Sequence, residues 1–133
     1  MIVKRVRDVE GGEDEVLTQN WVSRRLLLKR DSMGFSLHET TIFAGTETPM
    51  CYLNHLEAVF CVEGVGEVET EADGKRHPIS AGTVYALDQH DRHTLRAFTQ
   101  MRMVCVFNPP LTGREVHDEN GAYPLVEERG QVA

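Results

Sequence analysis

The sequence predicts an all-β fold, and three of its features support this prediction. Short apolar or alternating runs recur through the middle of the chain, glycine-containing turns separate them, and no long segment has helical periodicity. Strands with turns about every ten residues favour a sandwich or a closed barrel over alternating β-α units. The 133 residues are enough for one hydrophobic core that needs no disulfide bonds.

The predicted strands follow these runs in chain order. Asp73-Gly74 predicts a tight turn between the predicted strands 67–70 and 77–79. Residues in the predicted strand 35–43 alternate. One face of this strand carries Phe35, Leu37, Glu39, Thr41 and Phe43. The predicted strands are 23–29, 35–43, 58–62, 67–70, 77–79, 83–87, 93–98 and 101–108.

Short extensions are predicted at both ends of the barrel. The polar stretch from Glu10 to Glu15 predicts a loop that leads to a short helix near Val16. Residues 126–133 are polar and without pattern, so we expect a disordered tail there. One domain, residues 1–125, is therefore expected.

Composition excludes several classes of partner. The formal charge is -7 and the basic residues are scattered, which argues against nucleic acid. No apolar run approaches the roughly 20 residues of a membrane span, and the charged start Lys4-Arg5 is unlike a signal peptide. Three cysteines without a paired spacing predict buried free thiols. Together these observations predict a cytoplasmic protein.

One spacing of residues in the sequence indicates a functional motif. Gly45 is followed by five residues and Cys51, and then by Leu53, Glu57 and Gly64. This pattern resembles the first motif of the cupins, in which two histidines stand at the positions of Cys51 and Leu53. The resemblance implies a single cupin-type, jelly-roll-like barrel.

The second cupin motif has a glycine, a strand and then a histidine, and Gly82 with His93 fits it. Alanine at position 81 replaces the usual proline. Leucine cannot bind a metal, and a cysteine thiolate favours zinc or copper over iron. On the cupin pattern alone, a site that has lost its metal remains an alternative. Tyr85 could equally be a core tyrosine whose hydroxyl finds a partner.

Longer segments, 35–48, 54–64, 85–93 and 103–118, resemble signature stretches of the ectoine synthases, and the resemblance extends over about residues 1–125. It implies iron(II), with zinc or another divalent metal as alternatives, held by Glu57, Tyr85 and His93. Carboxylate, phenolate and imidazole suit iron and leave coordination positions open. The resemblance also implies a homodimer.

The activity that this resemblance implies is a ring closure with loss of water, in which the α-amine of N-γ-acetyl-L-2,4-diaminobutyrate attacks its own acetamide carbonyl. Arg25 would bind the substrate carboxylate, and Glu115 would accept the proton of the amine. The implied catalytic residues are Tyr52, Glu115 and His117. The implied substrate-binding residues are Trp21, Arg25, Thr40, Cys105 and Phe107.

Alternatives to these roles remain. Arg25 could face water beside Arg24, Trp21 could be core packing, and Cys105 an inert thiol. For the whole protein, the alternatives are a cupin that binds or senses a metabolite without turnover and a barrel with no site. The remaining histidines are predicted to be structural or exposed: His38, His55, His77 and His90.

Overall fold

The computed structural model describes residues 1–117, and every structural statement concerns this part of the chain. The predicted tail and the end of the predicted domain lie outside it. A short helix α1 (Val6–Val9) precedes the strands, and a 3₁₀ helix (Lys29–Asp31) follows the second strand. The strands are β1 (Glu15–Leu17), β2 (Trp21–Leu27), β3 (Ser36–Ile42), β4 (Glu47–Met50), β5 (Leu56–Glu63), β6 (Gly66–Thr70), β7 (Arg76–Ile79), β8 (Val84–Leu87), β9 (His93–Ala97) and β10 (Met101–Asn108).

These strands form two antiparallel sheets. The larger has the order β1-β2-β3-β10-β5-β8, and the smaller has the order β4-β9-β6-β7. Apolar side chains from both sheets make one core, and the all-β prediction is confirmed. None of the helices in the described part of the chain has the length and apolarity that a membrane crossing requires.

Alternation explains which side chains enter the core. On β10, Met101, Met103, Cys105 and Phe107 are buried while the intervening residues are more exposed. This strand lies between β3 and β5, so its inner face has neighbours on both sides. The centre of the larger sheet therefore carries much of the core.

Two strands differ from the sequence prediction. The predicted short helix near Val16 is wrong, because β1 occupies this position and pairs antiparallel with β2, Val16 opposite Ser23. The other, β4, was not predicted, since it contains Pro49 and shows little apolar alternation. It is tolerated at the edge of the smaller sheet, where only β9 pairs with it.

The strand β3 has the predicted alternation, but its inward face is the more polar one. Ser36, His38 and Thr40 are buried on that face. Glu39, on the opposite face, is also buried because Arg24 and Arg102 contact its carboxylate oxygens at 3.3 and 3.2 Å. The polar inward face contributes a wall to the cavity between the sheets.

After β10, the chain turns back toward the cavity. Residues 108–117, called here the C-terminal segment, are anchored by Leu111, which is fully buried. The backbone nitrogen of Leu111 donates to Ser36 Oγ at 3.0 Å, and its oxygen accepts from the nitrogen of Lys29 at 2.8 Å. This anchoring brings Glu115 and His117 to the sheets.

Candidate active site

A cavity that is open to solvent at one side lies between the two sheets. Eight of the eleven side chains that the sequence assigned to the site line it. They are Trp21, Thr40, Tyr52, Glu57, Tyr85, Cys105, Phe107 and His117. Arg25, His93 and Glu115 do not line this cavity.

Aromatic rings form one wall of the cavity. The ring of Tyr52 meets Phe107 edge-on at 5.3 Å between centroids, and Trp21 meets the ring of His117 edge-on at the same distance. The hydroxyl of Tyr52 lies 2.6 Å from Nε2 of His117. This hydrogen bond joins the loop after β4 to the C-terminal segment and places a phenol and an imidazole side by side.

A short series of small polar groups lies beside these rings on the inward face of the larger sheet. Thr40 Oγ1 donates to Ser23 Oγ at 3.2 Å, and Cys105 Sγ lies 3.9 Å from Thr40 Oγ1. Burial, followed by the nearby charge of Glu57, raises the pKa of the Cys105 thiol well above its ordinary value. Cys105 is therefore a neutral thiol.

Glu57 and Tyr85 lie on neighbouring strands, β5 and β8, and Tyr85 stands opposite Val59. Burial raises the pKa of Glu57 to about 8, although a hydrogen bond with Cys105 lowers it in part. Burial and then the charge of Glu57 raise the pKa of the Tyr85 phenol well above its ordinary value. A cation between these two groups would favour their charged forms and reverse both shifts.

His93 begins β9 on the smaller sheet, and its ring centroid lies 6.3 Å from that of Tyr52. Its Nδ1 donates to the backbone oxygen of Asp91 at 2.8 Å. Its Nε2 is buried without a hydrogen-bond partner among the described residues. Burial lowers the pKa of His93, with Asp91 opposing this effect in part. A neutral imidazole fixed through one nitrogen, with the other nitrogen open, is the form that binds metals.

The chemistry of these three donors therefore suits a divalent cation. Within residues 1–117, no cluster of three or more histidine, cysteine, aspartate or glutamate side chains is arranged to hold a metal ion. The predicted set consequently depends on the phenol of Tyr85 as its third donor. An acid, a phenol and an imidazole together match iron or zinc better than calcium or magnesium.

Arg25 and Glu115 are buried outside the cavity. Arg25 Nη2 donates to the backbone oxygen of Glu115. The Glu115 carboxylate accepts backbone hydrogen bonds from Thr112, Gly113 and Arg114 at 2.9 to 3.1 Å. The threonine hydroxyl adds another at 2.9 Å. Both side chains thus fix the C-terminal segment, which carries His117.

Sequence reasoning missed several cavity residues. Ser23, His38 and Thr48 line the cavity although none was assigned to it. For His38 a signal existed, because it stands two residues from Thr40 and so shares its face of β3. Burial and the charge of Arg25 lower the pKa of His38 to about 3, so its ring is neutral.

The other three histidines lie outside the cavity. His55 is buried, with its ring 6.0 Å from that of Phe107. His77 is half-buried beside Thr70, and His90 is exposed. These positions agree with the expectation of structural or exposed histidines, although His90 makes contacts with a neighbouring loop that bear on the site.

Comparison with known proteins places this site in a family. Residues 1–127 match the family model described as ectoine synthase. The chain is 65% identical over 128 residues to the L-ectoine synthase of Halalkalibacterium halodurans, covering 96% of this chain and 99% of that protein. It is also similar to the crystal structure of ectoine synthase from P. lautus, with a TM-score of 0.86 and 59% identity. That match covers 95% of this chain and 91% of the other.

More distant similarity identifies the fold. An RmlC-like cupin from Shewanella frigidimarina has a TM-score of 0.58 at 18% identity, covering 71% of this chain and 81% of that chain. The predicted cupin-type barrel is thereby confirmed. The near-complete match to the family model and the 65% identity to a curated relative show the family as well as the fold. The chain belongs to the ectoine synthase family and is an enzyme, a carbon–oxygen hydro-lyase.

Proposed function

We propose that the protein catalyses a metal-dependent ring closure of N-γ-acetyl-L-2,4-diaminobutyrate to L-ectoine and water. The α-amine attacks the acetamide carbon, a carbon–nitrogen bond forms, and the carbonyl oxygen leaves as water, which yields a six-membered cyclic amidine. The buried Nε2 of His93, which has no hydrogen-bond partner among the described residues, carries the metal dependence.

Glu57, Tyr85 and His93 would hold iron(II), or zinc or another divalent ion. The chemistry supplied by such an ion when bound is Lewis acidity toward the amide carbonyl oxygen. Two features of the chain favour such an ion. The backbone oxygen of Asp91 fixes the tautomer of His93. Burial raises the pKa values of Glu57 and Tyr85, and a nearby positive charge would lower them again.

Tyr52 and His117 would move the protons. The Tyr52 hydroxyl and His117 Nε2 lie 2.6 Å apart and share a hydrogen bond. Two N–H protons of the attacking amine must reach the departing oxygen, one as the carbon–nitrogen bond forms and one as the carbon–oxygen bond breaks. Each can pass from the nitrogen to the Tyr52–His117 pair and from the Tyr52 hydroxyl to the oxygen, which then leaves as water. The pair returns to its starting state when water leaves.

The cavity walls would hold the substrate in its curled form. Trp21 and Phe107 would exclude water from the reacting groups, and Thr40 with Cys105 would offer a polar contact in the same cavity. Such positioning brings the amine close to the carbonyl and reduces the entropic cost of ring closure. These lining residues support the proposal that a small, flexible amino acid binds here.

Two roles remain predictions. They are binding of the substrate carboxylate by Arg25 and acceptance of the amine proton by Glu115. In the described residues both are engaged with the C-terminal segment, Arg25 through the Glu115 backbone and Glu115 through its own loop. This engagement supports a further role for both, in holding His117 at the cavity.

The test uses purified protein freed of metal with a chelator. We expect the cyclic product on addition of the acetylated diaminobutyrate with iron(II), detected by proton nuclear magnetic resonance, and little product before iron is restored. Failure to form product with iron(II), zinc or another divalent ion contradicts the proposed reaction. Binding of the substrate without turnover supports instead the alternative of a non-catalytic cupin.

We infer that two copies of the chain associate as a homodimer. The larger sheet has open edges at β1 and β8, and Leu17 and Val84 on these strands are 71% and 62% exposed. Open edges with apolar side chains favour pairing with another strand. Light scattering should give twice the mass of one chain, and Val84→Lys should lower it; a monomeric mass for the unmodified protein contradicts this inference.

A further inference from the structure

Two hydrogen bonds join the loop that carries Tyr52 to the loop that precedes His93. Nδ1 of His90 donates to the backbone oxygen of Tyr52 at 2.8 Å. Cys51 Sγ donates to the backbone oxygen of His90 at 3.5 Å. The first loop, residues 51–55, joins β4 to β5, and the second, residues 88–92, joins β8 to β9. This reciprocal pair of bonds is the loop clip.

The loop clip lies where the site needs fixed backbone. Tyr52 belongs to no strand, so its position depends on contacts such as the one with His90. In the second loop, Asp91 follows His90 directly and accepts the Nδ1 hydrogen bond of His93. One short turn of chain therefore holds the imidazole of His93 and, through the clip, the backbone of Tyr52.

The backbone of His90 is in an uncommon conformation. Its φ angle is 54°, in the left-handed region that most side chains avoid. Histidine, asparagine and aspartate occur there more often than other residues, and glycine adopts it freely. The side chain itself is exposed, so core packing does not explain the conformation. Turning the ring toward Tyr52 gives it a structural reason.

The clip also gives a role to Cys51, one of the two positions at which the chain departs from the cupin motif. Cys51 and Leu53 stand where that motif has histidines. Cys51 is engaged with His90, Leu53 is 66% exposed, and neither lines the cavity. Between them, Tyr52 does line it. The loop thus presents a phenol to the cavity, with the clip fixing its backbone.

We propose that His90 is a positioning residue that acts through the loop clip to hold the Tyr52 hydroxyl at His117 and the substrate. This proposal rests on the proposed function for its catalytic consequence, since it assumes that Tyr52 transfers a proton. His90 itself does not line the cavity. Its loss should lower kcat while KM changes little, because the wall residues that the clip does not hold, such as Trp21 and Phe107, remain in place.

Three substitutions at position 90 separate the effect of the Nδ1 hydrogen-bond donor from the effect of the left-handed backbone conformation. His90→Gly keeps the left-handed backbone and removes the donor. His90→Asn keeps both, because Asn Nδ2 is attached to Cγ just as His Nδ1 is. His90→Ala removes the donor and strains the backbone. We expect kcat to fall roughly tenfold or more in the glycine variant, to fall further in the alanine variant, and to be rescued in the asparagine variant.

A double-mutant cycle tests whether the effect passes through Tyr52. In a Tyr52→Phe background, His90→Gly should cause little further loss of kcat, because the hydroxyl that the clip positions is already absent. Equal kcat in the glycine variant and the unmodified enzyme would overturn the proposal. Losses that multiply in the double variant, or an asparagine variant as impaired as the glycine variant, would overturn it as well.

Hydrogen exchange tests the clip without turnover. Backbone amides of residues 51–55 should exchange faster in His90→Gly than in His90→Asn, while amides of β10 exchange alike in both. Equal exchange of the loop in both variants would refute the clip itself. If the unmodified protein forms no ectoine but the loop responds as expected, the proposed function fails and the structural role of His90 stands.

Discussion

At the scale of single residues, the site is marked by polar atoms that the protein buries without full compensation. A buried polar nitrogen without a hydrogen bond costs about 1–3 kcal/mol, and His93 Nε2 is such an atom within the described chain. The carboxyl of Glu57 and the phenol of Tyr85 are buried beside each other with raised pKa values. A bound cation would offset all three costs at once.

Replacement of His93 tests this interpretation directly. His93→Leu fills similar space with an apolar side chain, so the barrel should fold while its iron content falls at least about tenfold. Metal analysis and circular dichroism measure the two outcomes. His77→Leu, which removes a half-buried imidazole beside Thr70, is the matched control and should retain iron. Normal iron content and turnover in His93→Leu would contradict the ligand assignment.

How far residues could be assigned from sequence depended on the kind of signal. Glu57, Tyr85 and Cys105 came from family resemblance, and all three line the cavity. Ser23 and Thr48 carry no such signal, because a hydroxyl on a strand looks the same whether it faces a cavity or a neighbouring chain. The placement of Glu115 could not be predicted either, since its carboxylate is bound by the nitrogens of its own loop.

At the scale of elements, long strands with alternating apolar residues were predictable, and short edge strands were not. The middle strand β10 buries every second residue over its whole length. The edge strand β1 has three residues, and its conformation is set by pairing with β2 rather than by its own sequence. Edge strands therefore need tertiary information that local pattern does not contain.

The turn from β5 into β6 illustrates a constraint that an element imposes on sequence. A Cβ atom placed on Gly66 would lie 2.2 Å from the backbone oxygen of Arg96 and 2.7 Å from Met101 Sδ. We expect Gly66→Ala to lower the free energy of unfolding by about 3 kcal/mol, since backbone must move. Gly12, whose Cβ would meet only the Val9 oxygen at 3.5 Å, is the control.

Urea denaturation measures both variants. Gly12→Ala should change the free energy of unfolding by less than about 0.5 kcal/mol. A Gly66→Ala protein as stable as the unmodified one would show that β6 can move away from the Arg96 backbone and from Met101 at little cost. The close approach of β6 to its neighbours would then not be a requirement of the fold.

At the scale of the whole molecule, enclosing a polar site between two sheets makes the fold sensitive to acid. Burial lowers the pKa values of His38, His55 and His93, so the folded protein resists protonation that the unfolded chain accepts. Glu57 acts in the opposite direction, because its raised pKa of about 8 lets the folded protein bind a proton that the unfolded chain has released. The pH dependence of stability is the sum of these opposed contributions.

A single substitution separates the contribution of His38 from that sum. Below about pH 6.5 the unfolded chain takes up a proton that folded His38, with a pKa of about 3, does not bind. Stability from this residue therefore falls as pH falls, by about 2 kcal/mol between pH 7.5 and pH 5. In metal-free protein, we measure the free energy of unfolding of His38→Leu minus that of the unmodified protein. This difference should rise by about 2 kcal/mol as the pH falls from 7.5 to 5. Glu57 is present in both proteins and cancels, so a difference that stays constant with pH would show that His38 is not held neutral by the fold.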